Sequence, residues 1–159
     1  MDVIVVFAGL ALVLFGLSFA HKRRFGLLGL ALAAGSILSG IWGYDAQLIV
    51  SGLSVPSGPL TTAVVLSTII LLPAVLLLFH GYTYKTLVGR LVGAGLFTVL
   101  ALAFLIDPLK HIVVLTGGGA DFYNWMTTNQ DGVIGLGMIV AVVDLFLTKP
   151  AMVHKDAKH

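Results

Sequence analysis

The sequence predicts an all-α, polytopic membrane protein with about five transmembrane helices, and three observations carry that prediction. The first is composition: 58% of the 159 residues are Ala, Val, Ile, Leu, Met, Phe, Trp or Tyr, and only 10% are charged. Adding the 19 glycines and dropping the 4 tyrosines brings the apolar share to about two-thirds, against ~45–50% in soluble domains. A soluble chain of this size still exposes roughly 30% of its extended-chain surface, so lipid has to be the solvent for most of this one. The second is a set of five apolar runs, four of them uncharged and the fifth holding only Asp144, each about 22–30 Å long at helical rise, close to the ~30 Å hydrocarbon core. The third is the placement of the basic residues, eight of nine of which fall in alternate connections between those runs or after the last one. No alternating barrel pattern is present, and an open backbone cannot be satisfied in lipid, so the spans are helices.

Helix one is expected over Val3–Ala20, an uncharged run closed by His21, Lys22, Arg23 and Arg24. Its basic cluster follows the apolar stretch, and Asp2 stands where a signal peptide would be basic, so the segment reads as a retained anchor. Helix two runs from Phe25 to Tyr44 and is closed by Asp45; helix three covers Leu60–Phe79. Helix four covers Leu91–Ile106 and is stopped by Asp107 and Pro108, and helix five covers Val133–Leu147. These form one transmembrane domain over residues 1–148, with a polar tail at 149–159 that carries Lys155, Lys158, His154 and His159.

Orientation follows from the basic residues. Lys22, Arg23 and Arg24 lie between helices one and two, Lys85 and Arg90 between three and four, and Lys149, Lys155 and Lys158 after five; only Lys110 lies on the other side. The positive-inside rule then places the N-terminus outside and the C-terminal tail in the cytoplasm. The expected location is the plasma (inner) membrane, crossed several times.

Two connections are long. Asp45–Pro59 reads as an interfacial loop ending in the turn formers Pro56, Ser57, Gly58 and Pro59. Asp107–Gly132 reads as the main exposed stretch, with Gly117, Gly118 and Gly119 followed by Phe122, Tyr123 and Trp125. Those glycines lack a following Gly-Lys-Ser/Thr and a parent strand, so they are no phosphate loop. The aromatics, with Trp42 and Tyr44, suit an outer interfacial belt; Phe19, Phe25, Phe79, Tyr82 and Tyr84 suit an inner one.

Small-residue spacing is the strongest internal signal. Ala31, Gly35, Ser39 and Gly43 recur every four residues in helix two, beside a shorter row of Ser36 and Gly40. Such a ridge lets a second backbone approach, which is how helices associate where apolar burial gives no drive. Helix two is therefore the expected packing hub, within the chain or between copies. Gly89 and Gly93 make a similar patch on helix four, and Gly137 with Ala141 a weaker one on helix five. Pro73 predicts a kink in helix three, since it removes a donor and crowds the Ile69 carbonyl, with Ser67 and Thr68 near enough to help satisfy the freed groups.

Chemistry is sparse. Without cysteine there is no thiolate nucleophile, no disulfide and no Cys-ligated metal. The five histidines show no ligand spacing. A net charge of +2 is too small and scattered for a nucleic-acid footprint. Ser39 and His80 fall near opposite ends of their helices, too far apart to act as a nucleophile and base. Asp144 is the one acid well inside a span; it is expected to form an ion pair near the cytoplasmic interface with His80 or Arg90.

The chain also resembles the colicin V production protein (CvpA) family of small bacterial inner-membrane proteins. The residues that carry this are Asp2-Val3-Ile4, the basic hinge from His21 to Gly26 leading into a Gly/Ala-rich helix, and Gly89-Arg90-Leu91-Val92-Gly93-Ala94-Gly95-Leu96 entering helix four. The resemblance spans residues 2–106 and implies a role in secretion, export or envelope function without a defined reaction. The expected function is that of a non-enzymatic membrane subunit without cofactor or metal. Its expected partners are membrane lipids and either itself, as a homo-oligomer, or other membrane subunits, and no nucleic acid. A small-solute or ion transporter or channel, and a passive structural subunit of a larger complex, are the competing expectations.

Overall fold

The structure, a computed structural model, describes residues 3–52, 58–80, 83–84, 86–110, 112 and 118–147. The tail 149–159, Asp2, Lys85, Tyr82, His111 and Gly117 lie outside the described residues, as do the loop positions 53–57. The described residues form six helices: α1 Val3–His21, α2 Phe25–Gly52, α3 Pro59–Phe79, α4 Leu87–Leu109, α5 Gly118–Thr128 and α6 Gln130–Phe146. Four of them, α1 to α4, are long and apolar enough to cross a membrane, and α5 with α6 makes a fifth when the bent pair is taken as one span. The all-α polytopic class is therefore the architecture observed.

Hydrogen bonds fix how the spans alternate. Tyr84 N–H donates to the Lys22 carbonyl at 2.8 Å, and Arg23 pairs with Thr83 in an isolated antiparallel bridge, so the α1–α2 and α3–α4 connections share one end of the bundle. Gly26 N–H donates to Asp144 Oδ2 at 2.9 Å, which brings the close of α6 to that same end. At the other end of α6, Gln130 Nε2 donates to the Ala103 carbonyl (3.1 Å) near the close of α4. Helix α6 thus runs from one end to the other, about 25 Å for its length at helical rise. Lys22, Arg23, Arg24 and Arg90 make this the basic end of the bundle.

Helices α2 and α4 extend well beyond their expected limits. Helix α2 continues eight residues past Tyr44, through the stretch read as interfacial loop, because an exposed Asp45 leaves the backbone ladder intact and nothing up to Gly52 removes a donor. Helix α4 starts at Leu87, where the Thr86 hydroxyl accepts from Gly89 N–H (3.2 Å) as an N-cap. It passes Asp107 and Pro108 to end at Leu109. The stretch 107–132, read as exposed, holds α5 and the first turn of α6, which meet at a 63° bend. Helix α5 packs on the bundle: Tyr123 and Met126 are buried, and the Phe7 ring meets Phe122 and Tyr123 edge-on at 5.9 and 6.2 Å.

The core follows α4. Within its span 61% of residues are buried, against 39% in α2, 22% in α3 and 17% in α1. Phe97, Leu100, Ala101, Ala103, Leu105 and Ile106 of α4 are buried in one cluster with Phe25, Leu28 and Leu32 of α2. Helix four, touching every other helix, is the centre of the bundle, and α2 stands beside it. The small residues of α2 serve contacts inside the chain. A Cβ on Gly35 would overlap the Ile70 carbonyl oxygen of α3, and one on Gly43 would lie 2.8 Å from Leu66 Cδ2. Toward α6, a Cβ on Gly29 would come within 2.9 Å of Ala141 Cβ. Ala31 and Ala141 are both buried, and Gly137 sits against Leu100 of α4. Close backbone approach replaces the missing hydrophobic drive of a lipid environment.

Helix α3 runs unbroken through Pro73. Thr68, expected to help satisfy groups freed there, donates instead to its own i−4 carbonyl, Val64, at 2.7 Å.

Candidate functional site

The densest polar arrangement lies at the basic end and is built around Tyr84. The α1–α2 reversal needs a left-handed residue, and Lys22 supplies it with φ of 57°, its N–H closing the last turn on the Ser18 carbonyl at 3.1 Å. That turn directs the first backbone N–H groups of α2 toward the interior. Phe25 N–H donates to the Tyr84 hydroxyl oxygen (3.2 Å), and Gly26 N–H to Asp144 Oδ2 (2.9 Å). The Tyr84 hydroxyl in turn donates to the Asp144 carboxylate. A carboxylate and a phenol oxygen thus satisfy the opening donors of α2, where an anion also complements the helix dipole. One short network ties α2, α6 and the α3–α4 connection together.

Glycines make room for it. A Cβ on Gly93 would stand 2.5 Å from Tyr84 Cε2, and one on Gly89 would stand 3.0 Å from Tyr84 Cδ1. These two positions, expected to pack helix against helix, seat the Tyr84 ring. A Cβ on Gly26 would overlap the Ala141 carbonyl and lie 3.1 Å from Asp144 Oδ2, so α6 can reach the start of α2 only over a glycine. Burial raises the Tyr84 pKa above its ordinary 10.0; hydrogen bonding to Phe25 N–H opposes this, the Asp144 charge and hydrogen bond add to it, and Arg24 opposes it. The hydroxyl stays protonated and able to donate at neutral pH, which suits a structural bond and not a nucleophile.

The arginines surround this network. Arg23 Nε donates to the Leu78 carbonyl (2.7 Å) and its Nη2 to that of Phe79 (2.8 Å), closing the end of α3. The Arg24 guanidinium lies 5.5 Å from the Tyr84 ring centre. Arg90 turns to α1, donating from Nη2 to the Phe19 carbonyl at 3.3 Å with its guanidinium 4.8 Å over the Phe19 ring. His80 is exposed and closes α3, its N–H donating to the Leu77 carbonyl at 3.2 Å. The sequence pairs Asp144 with His80 or Arg90; the structure sets Asp144 on Gly26 and Tyr84, and Arg90 on Phe19. Tyr84 is the centre of this network that sequence reasoning missed, since an aromatic near a membrane surface reads as an anchor and its partners lie some sixty residues away on either side.

A second feature lies toward the opposite end. A cleft of about 260 Å³ between α2, α3 and α4 is lined by Ser36, Ser39 and Gly40, by Leu66 and Ile70, and by Phe104, Asp107, Pro108 and Lys110. Ser39, expected on the packing ridge, faces this cleft. At its rim Lys110 Nζ stands 3.4 Å from Asp107 Oδ1, and Gln130 Nε2 3.4 Å from Asp107 Oδ2. Among the described residues no group of three or more His, Cys, Asp or Glu could hold a metal ion.

Compared with protein families, with curated proteins and with solved structures, the chain matches none.

Proposed function

We propose that this chain is a non-catalytic, multi-pass protein of the plasma (inner) membrane that works as a complex-forming subunit, associating with a second copy or with other membrane subunits in export, secretion or envelope function. The observation that carries this reading is the open face of α1. Val5, Gly9, Leu12, Val13, Gly16 and Ala20 are all exposed along one side, and neither Gly9 nor Gly16 has an atom that an added Cβ would meet within 4 Å. Glycines two turns apart, followed one turn on by Ala20, offer another helix the close approach that drives association in lipid. Gly35 and Gly43 are occupied by α3, so the associating surface moves from helix two to helix one. The resemblance of residues 2–106 to the colicin V production protein family supports the export side of the reading.

The absence of native cysteine makes the test direct. Gly16→Cys is expected to give an oxidised dimer in native membranes, or an adduct with a foreign subunit, whereas the exposed α2 position Ile37→Cys gives neither. Particle mass in mild detergent then separates self-association from a mixed complex. A monomeric particle with no adduct at Gly9→Cys or Gly16→Cys would exclude the proposal. The polar cleft favours a second reading, small-solute or ion transport, which requires flux into reconstituted vesicles.

A further inference from the structure

We propose that the cleft between α2, α3 and α4 binds a small zwitterionic molecule with an apolar portion, through Asp107 and Lys110 at its mouth and Ser36 and Ser39 on its wall. The assignment is independent of the α1 face and holds whether or not the ligand is carried across the membrane. Four observations support it. The rim presents one carboxylate and one ammonium 3.4 Å apart, both more than half exposed. Exposed pairs of that kind are weakly held, so a ligand can insert between them, its ammonium toward Asp107 and its anion toward Lys110. Gln130, whose amide donates to the Ala103 carbonyl as well as to Asp107, keeps the carboxylate in place.

The wall serines differ from four of the chain's threonines. Thr68, Thr98, Thr127 and Thr128 all donate to the carbonyl four residues earlier, at 2.7–2.9 Å. That is the ordinary way a hydroxyl is satisfied in an apolar helix. Ser36 and Ser39 make no such bond among the described residues and line the cleft, where their hydroxyls can serve a ligand. Ile70 and Phe104 supply the apolar floor. The volume of about 260 Å³ sits just below the ~300–1,000 Å³ of drug-sized ligand sites, which limits the occupant to something of amino-acid size or to a lipid headgroup such as ethanolamine phosphate. Both present an ammonium and an anion a few ångströms apart.

Native mass spectrometry of the full chain from a non-ionic detergent tests the assignment and separates the sources. Two probes are used: L-leucine, and phosphatidylethanolamine with phosphatidylglycerol as the anionic comparison. One bound L-leucine, or one retained phosphatidylethanolamine in preference to phosphatidylglycerol, is the expected result, and the added mass says which. Asp107→Asn removes the ammonium partner at an exposed position, so folding is spared, and binding should fall at least tenfold. Ser39→Leu fills the cleft and should abolish it, with Ser36→Ala giving a several-fold loss and serving if Ser39→Leu does not fold. Retention of neither probe, or retention unchanged in Asp107→Asn, would overturn the proposal.

Discussion

Tyr84 brings three separate parts of the chain to one oxygen, so its hydroxyl contributes more than its position in a short connection suggests. Removing it as Tyr84→Phe keeps the ring in its Gly89–Gly93 seat but leaves Phe25 N–H and one Asp144 oxygen without that partner. The expected cost is about 1–2 kcal/mol, read as a lower thermal midpoint in detergent with unchanged helix content. The seat itself is tested by Gly93→Ala, whose Cβ would lie 2.5 Å from the ring; displacing the ring should cost about 1–3 kcal/mol. Gly95→Ala, which meets nothing within 4 Å, should be neutral or slightly stabilising. The pH dependence has a definite sign. Folding raises the Tyr84 pKa, so its contribution is complete below 10.0, the ordinary value, and is lost as pH rises through the higher folded value. Ultraviolet titration of the folded protein should show a phenol ionising above that ordinary value, absent from Tyr84→Phe.

At the scale of helices, glycine contacts decide which elements touch. Gly35→Ala forces a Cβ into the Ile70 carbonyl and should separate α2 from α3 at a cost of about 1–3 kcal/mol or more, whereas Gly40→Ala, with open space around it, should leave the thermal midpoint unchanged. Much of this level was legible in the sequence. The apolar runs located every spanning helix, and the basic cluster marked the end of α1 within one residue. Ends were harder to read where charge stood in for termination. Asp45 and Asp107 do not break a hydrogen-bond ladder, so α2 and α4 continue past them. Helix α5 escaped notice because eleven residues opening on glycines carry too little periodicity to separate a helix from a loop. The small residues were found, but spacing alone cannot tell a glycine that meets another backbone, as Gly35 does, from one that meets a side chain, as Gly93 does. Asp144 stood out as the one acid well within a span; its partner Tyr84 did not, because nothing local joins residues sixty apart.

For the whole molecule, the basic residues gathered at one end of the bundle are also structural. Arg23 closes α3 and Arg90 holds the end of α1, so the charge asymmetry and the hydrogen-bonded network at the basic end share the same side chains. Toward the opposite end lie the cleft and helix α5, which packs through Tyr123 and Met126. Among the described residues the basic end is fastened by charged side chains bonded to helix-end carbonyls. The premise of the fold is that five crossings alternate, leaving the α1–α2 turn and the start of α5 on opposite sides of the bilayer. Labelling of introduced cysteines in intact cells with a membrane-impermeant maleimide tests this most directly. Asp121→Cys should react from outside, and Lys22→Cys only after permeabilisation; reaction of both from the same side would contradict the fold, and the reverse pattern would contradict the orientation.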